Sequence, residues 1–274
     1  MEMTMETTLL FAASMLVAGV IAGVIAGLLG VGGGIVLVPA MFYLFTLMDV
    51  SPEVRMHLAV GTSLSTIIVT AWSSSRAHYK KGAVDVELLK GWGPWLFVGA
   101  ILGMLFFSSI KSLTLTFVFS AVTFLLALYM LFSPQHEEGS ESTFPGGVLR
   151  GVYGIIVASL SSIMGIGGGS LSVPLLTYYR FPIRRAVGTA AAVGLIIALP
   201  GTIGAFASGF GDPNLPPFSI GYVNLLAFAI LIPVTGYFAP IGSKIAHTIN
   251  PKYLRYAFAG FLIFNAVNML ITAL

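Results

Sequence analysis

Two glycine clusters are the residues of this sequence best placed to do chemistry. Gly30-Val31-Gly32-Gly33-Gly34 and Gly165-Ile166-Gly167-Gly168-Gly169 share one pattern, and each is followed five residues on by a proline, Pro39 and Pro174. Glycine clusters hold a helix poorly, because the backbone loses entropy and gains no side-chain packing. A helix beginning at Gly34 or at Ser170 would present unpaired backbone N–H groups and a positive dipole end, which together hold an anion without a buried cation. Gly32, Gly33, Gly34, Gly167, Gly168, Gly169 and Ser170 are therefore candidate anion-binding residues. A lone cluster would read more simply as close helix packing, but two copies at matching positions favour a site.

Hydroxyls are the second donor set. Thr62, Ser63 and Ser65 follow Ala59-Val60-Gly61, and Thr189 follows Ala186-Val187-Gly188. Such hydroxyls can donate to an oxyanion, or bond to their own helix backbone four residues back. We take Thr62, Ser63 and Thr189 as candidate substrate ligands. His57, Arg76 and His78 stand near segment edges as candidates for gating or coupling, since histidine alone titrates near neutral pH unperturbed. The alternative places both histidines at the headgroup level.

Other chemistry is disfavoured. The chain has no cysteine, which removes thiolate metal sites, disulfides and thiol nucleophiles. His57, His78, His136 and His247 lack metal-ligand spacing, and Ser73-Ser74-Ser75 has no nucleophile–base pattern. No enzyme, metal or cofactor is expected. The net charge is +3, yet no Lys/Arg run is dense enough to suggest nucleic acid.

The elements that must position these residues are membrane segments. Of 274 residues, 57% are hydrophobic and 8% charged, against about 25% charged in soluble domains. So few charges cannot clothe a soluble surface, so the partner of most of the surface is the lipid bilayer. Hydrophobic segments fall at about 9–29, 35–48, 57–75, 91–110, 113–132, 148–164, 170–179, 186–208, 220–241 and 254–274. No cleavable signal peptide is evident, as Glu2 and Glu6 stand where an n-region carries basic residues. Most segments hold the ~20 residues that cross a bilayer. The second and seventh, each directly after a glycine cluster, would be only roughly 21 and 15 Å long. No Asp, Glu, Lys or Arg lies mid-segment, which disfavours a cation pump with a buried carboxylate. Trp72, Trp92 and Trp95, near segment ends, read as an interfacial belt.

Internal repetition decides the architecture. Glycine motif, Ala-Val-Gly-Thr motif and a later block (Gly103, Leu115, Phe119, Met130-Leu131 and then Gly242, Leu254, Phe258, Met269-Leu270) recur in the same order. This gives a first membrane repeat over 1–132, a polar linker over 133–147 with Glu137, Glu138 and Glu141, and a second repeat over 148–274. With each glycine motif as the tip of a hairpin, five segments per half place 11 of the 13 Lys/Arg inside, leaving only Arg55 and Lys111 outside. Four crossings per half split them 5 to 8, or 8 to 5 in mirror image. The positive-inside rule selects inverted repeats. The expected fold is all-α: a polytopic membrane protein of two inverted repeats with broken-helix tips.

The sequence resembles the sulfite exporter TauE/SafE family. The resemblance rests on Leu29 to Gly34 with Val38-Pro39, on Met56-His57-Leu58-Ala59-Val60-Gly61-Thr62-Ser63, and on Ala77-His78-Tyr79-Lys80-Lys81-Gly82. In the second half it rests on Gly165 to Gly169, Val173-Pro174 and Arg185-Ala186-Val187-Gly188-Thr189. It implies a bacterial-type inner-membrane carrier of a small sulfur-containing anion, sulfite or an organosulfonate, usually an exporter. A channel-like anion facilitator, or an uptake permease for a related anion, is the alternative. His57 leaves room for protons as a coupled partner, and a homo-oligomer stays open. Phe210 to Ser219 has no counterpart in the first half.

Overall fold

The computed structural model describes residues 5–29, 33–132, 144–246 and 251–274. The expected site residue Gly32 lies outside the described residues, with Gly30, Val31 and most of the polar linker. Ten helices follow in order: α1 (Met5–Leu29), α2 (Gly34–Leu47), α3 (Pro52–Lys80), α4 (Val86–Leu105), α5 (Ser112–Phe132), α6 (Gly147–Met164), α7 (Gly169–Tyr178), α8 (Ile183–Ser208), α9 (Leu225–Ala246) and α10 (Pro251–Ala273). The fold is all-α as expected, apart from a two-residue antiparallel pair, β1 (Ser219–Ile220) on β2 (Val223–Asn224). Six of the described helical stretches are long and apolar enough to cross a membrane. The boundaries have local causes: Pro52 opens α3 with Glu53 in its first turn, and the Asp85 carboxylate caps α4 by accepting from Leu88 N–H at 2.9 Å.

The central element is the antiparallel pair α3–α8. Gly61 faces Ala205, Leu64 faces Gly201 and Ala71 faces Gly194. Around it the two halves interleave: α1 lies along α9, α4 along α6, and α5 beside α10. Exchanging the halves maps the first two contacts onto each other and the third onto itself. Small residues allow the close approach, as membrane packing favours. A Cβ on Gly99 would stand 2.7 Å from Ile155 Cα, and one on Gly23 would stand 3.0 Å from Thr235 Cα. Ser159 Oγ also donates to the Gly99 carbonyl at 2.7 Å.

Both short helices are returning arms of hairpins. α6 enters and α7 returns on one side, since Tyr153 near the start of α6 shares a 2.9 Å hydrogen bond with Tyr179 at the end of α7. That side also holds the end of α3 and the starts of α4 and α8, where Asp85 meets Arg185 at 2.7 Å. The α1–α2 hairpin enters from the other side, α2 passing directly through Met48–Ser51 into α3. Basic residues segregate accordingly. Arg76, Lys80, Lys81, Lys90, Arg150, Arg180, Arg184 and Arg185 stand at the first end, and Arg55 and Lys111 at the opposite one.

One expectation is corrected. Trp72 and Trp95 are exposed, as an interfacial belt requires, but Trp92 is fully buried. Its indole packs under Gly154 and against the Phe144 ring, 5.0 Å away, because the hairpin of the second half covers that face of α4.

Candidate functional site

The hairpin tips meet at the middle of the α3–α8 pair. Gly167 faces Ile67, halfway along α3, while Gly168 faces Val193, Gly194 and Ile197, halfway along α8. A Cβ on Gly34 would overlap the Gly165 carbonyl oxygen and Ile166 Cα. Gly33 and Gly167 have φ of 77° and 66°, the left-handed region where side chains are strained. Thus the first turns of α2 and α7 point toward each other from opposite ends of the bundle, with their positive dipole ends at mid-depth.

The carbonyl side of the second tip is already satisfied. Gly165 N–H donates to Ser162 O at 3.2 Å, Ile166 N–H to Ser161 O at 3.3 Å, the paired bonds of a Schellman ending with a left-handed glycine. Ser63 Oγ donates to the Gly165 carbonyl at 2.7 Å, so Ser63 holds the tip in place. What α7 offers beyond the tip is its first-turn N–H groups, which have no acceptor within the helix. Ser170 stands among them, 6% exposed, its hydroxyl without a partner among the described residues.

Thr62 and Thr189 are placed differently. Thr62 Oγ1 accepts from Asn224 N–H at 2.9 Å, and Thr189 Oγ1 accepts from Asp85 N–H at 2.9 Å. In both cases the preceding glycine gives room for the same loop: Gly61 lies against the Tyr222 carbonyl, Gly188 against the Ala83 carbonyl. In both cases the pinned residue caps the next helix, Asn224 Oδ1 accepting from Ala227 N–H and Asp85 Oδ1 from Leu88 N–H, each at 2.9 Å. The repeated Ala-Val-Gly-Thr motif is thus a pin that fixes where α9 and α4 begin. The register of α3 on α8 puts the two threonines about 21 Å apart, near opposite ends of the pair, so they do not converge on one ligand. Ser65 Oγ donates to Thr62 O at 2.7 Å, the helix-backbone alternative noted for these hydroxyls.

The gating candidates separate as well. His57 is buried within the protein, its Nε2 3.1 Å from the Phe107 carbonyl oxygen. Its ring lies between those of Phe107 and Tyr222, with centroids 4.9 and 4.8 Å away. Tyr222 belongs to the segment between α8 and α9, just after the expected insertion Phe210 to Ser219, and its hydroxyl donates to Asp212, within that insertion, at 3.2 Å. Arg76 is exposed and His78 half-buried at the basic end, far from His57. Among the described residues no group of three His, Cys, Asp or Glu could hold a metal ion.

A polytopic helical bundle with two broken-helix tips meeting at mid-depth defines the class of a membrane transporter. The sequence profile described as "Sulfite exporter TauE/SafE" matches residues 15–269. The chain belongs to that family, and it is a membrane transporter rather than an enzyme. It is similar to a probable membrane transporter protein of Haemophilus influenzae, 31% identical over 94% of this chain and 98% of that one. It is also similar to the probable membrane transporter protein YunE of Bacillus subtilis, 29% identical over 87% of this chain and 88% of that one. The probable membrane transporter protein MJ0441 of Methanocaldococcus jannaschii is 28% identical over 93% of each. No solved structure matches the chain.

Proposed function

We propose that the protein is a secondary carrier for a small sulfur-containing anion, sulfite or an organosulfonate, moved by alternating access between two inverted repeats in the inner membrane. The observation that carries this reading is the meeting of two helix N-termini, α2 and α7, at the middle of α3–α8, a depth at which the sequence has no Lys or Arg. Two dipole ends, about half a positive charge each, repel one another in a low-dielectric core, and an anion between them relieves the repulsion. The end rich in Lys and Arg faces the cytoplasm by the positive-inside rule. An anion leaving a negative interior gains about 2.3 kcal/mol per charge per 100 mV, so export of a monoanion needs no coupling ion.

Reconstitution into proteoliposomes tests the reading. The expected result is sulfite or sulfonate flux that saturates and shows counterflow. Flux linear in concentration would identify a channel-like facilitator instead, and absence of flux for every anion tried would refute transport of this class.

A further inference from the structure

The two halves match in helix order but not in polarity. Aligning the glycine clusters pairs Ser161 with Ala26, Ser170 with Ile35 and Ser172 with Leu37, and aligning the later block pairs Ser120 with Ala259 and Thr123 with Leu262. All five apolar members are buried. All five hydroxyl members are buried too, and none has a hydrogen-bond partner among the described residues. The other buried or half-buried serines and threonines of these helices are engaged: Ser112 Oγ accepts from Met56 N–H at 3.1 Å, Thr116 bonds to Ser112 O at 3.0 Å, Ser159 and Ser162 to α4 carbonyls, and Thr177 to Val173 O at 2.9 Å. Unpartnered buried hydroxyls are costly and uncommon. Five on three neighbouring helices call for a common partner.

Geometry places them near one depth. Tyr129 Oη on α5 lies 3.3 Å from Pro174 O on α7; α7 runs from mid-bundle toward the basic end, and α5 runs the same way from the Lys111 end. Going back from that contact, Thr123 is about 9 Å along α5 and Ser170 about 6 Å along α7. Ser161 is one turn before Gly165 on α6. All therefore stand around the second tip, beside the first-turn N–H groups of α7.

Resting on the carrier reading above, we infer that the anion is bound on one side of the repeat axis, by the α7 N-terminus with Ser161, Ser170, Ser120 and Thr123, and that this site selects monoanions. The first hairpin supplies a dipole end and an apolar wall. The charge preference follows from the donor set. Desolvation grows with the square of charge, about four-fold for a dianion, whereas attraction to neutral dipoles grows only in proportion to it. With no cation in the site, methanesulfonate or bisulfite gains where sulfate and thiosulfate lose.

Titration calorimetry on the purified full chain, with methanesulfonate, sulfite and sulfate as probes, tests this. Wild type should bind methanesulfonate at least ten-fold more tightly than sulfate. Ser170→Ala and Thr123→Ala should each weaken methanesulfonate about five-fold, the cost of one neutral donor. Thr123→Ser should restore affinity, and Thr116→Ala, which removes a hydroxyl already bonded to its own helix, should leave it unchanged. Should an alanine variant fail to fold, Ser170→Cys in this cysteine-free chain replaces it, and saturating methanesulfonate should slow its alkylation by N-ethylmaleimide. If wild type binds no probe, the carrier reading itself fails. If it binds while the variants stay within two-fold and Ser170→Cys is unprotected, the carrier stands and the one-sided site is wrong. Tighter binding of sulfate would overturn the charge preference.

Discussion

Replacing Thr62 with valine keeps the shape of a fully buried side chain and removes one oxygen. The affected partner is Asn224 N–H, 2.9 Å from Thr62 Oγ1 in a residue only 4% exposed. Water cannot take over that donor, so the cost is that of a buried unsatisfied group, about 2 kcal/mol, rather than that of an exchanged hydrogen bond. Thr189→Val leaves Asp85 N–H in the same position and should cost about the same, somewhat less because Asp85 is half-buried. The two sites are about 21 Å apart and share no partner, so the double variant should lose the sum, about 4 kcal/mol. Unfolding of purified protein in mixed micelles, followed by the fluorescence of Trp92 and its neighbours, measures the loss. Anion affinity of the single variants should stay within two-fold. If Thr62→Val bound substrate ten-fold more weakly at unchanged stability, the hydroxyl would face the anion, and the pin would be a misreading of the motif.

Gly34→Ala should lower transport roughly 100-fold while the protein still inserts, because its Cβ would overlap Gly165 O and displace the opposing tip; Gly236→Ala, with open space around it, should transport normally in the same vesicle assay. Tyr222→Phe should destabilise the segment over His57 by about 1 kcal/mol through loss of the bond to Asp212, read as faster proteolysis between α8 and α9. Lys81→Cys should react with an impermeant maleimide only after cells are opened, and Pro213→Cys should react in intact cells. The opposite pattern would invert the proposed orientation.

Much of the fold was legible because lipid imposes a simple rule, that each span satisfies its own backbone in a run of apolar residues. The ten expected segments correspond to ten helices, including the short pair after the glycine clusters. Exact ends were less legible. The expected third segment, 57–75, grew to Pro52–Lys80 because polar ends such as Glu53 and His78 extend a helix beyond the apolar run. The two hairpin tips were legible in their glycines, whose spacing marks a break in any membrane helix. The hydroxyls were not. Thr62 and Ser170 look alike in sequence, yet one meets a loop amide from 162 residues away and the other meets nothing among the described residues. Ser120 and Thr123 escaped notice because mid-helix hydroxyls ordinarily bond one turn back, and only the loss of that bond in the fold distinguishes them. Trp92 was misplaced for a related reason: proximity to a segment end says nothing about which hairpin folds over it.

The packing of α1 along α9 has a consequence for biosynthesis. Helix α1 lays Gly19 and Gly23 against Leu231, Val234 and Thr235, a surface that is translated only after the seven helices between them. Until then this arm must wait in the bilayer or beside the insertion machinery with its small-residue stripe facing lipid or a chaperone. Severing the gene at the linker and co-expressing the two pieces should therefore yield a working protein only when both are made together, since neither half contains the surface on which its own leading arm comes to rest.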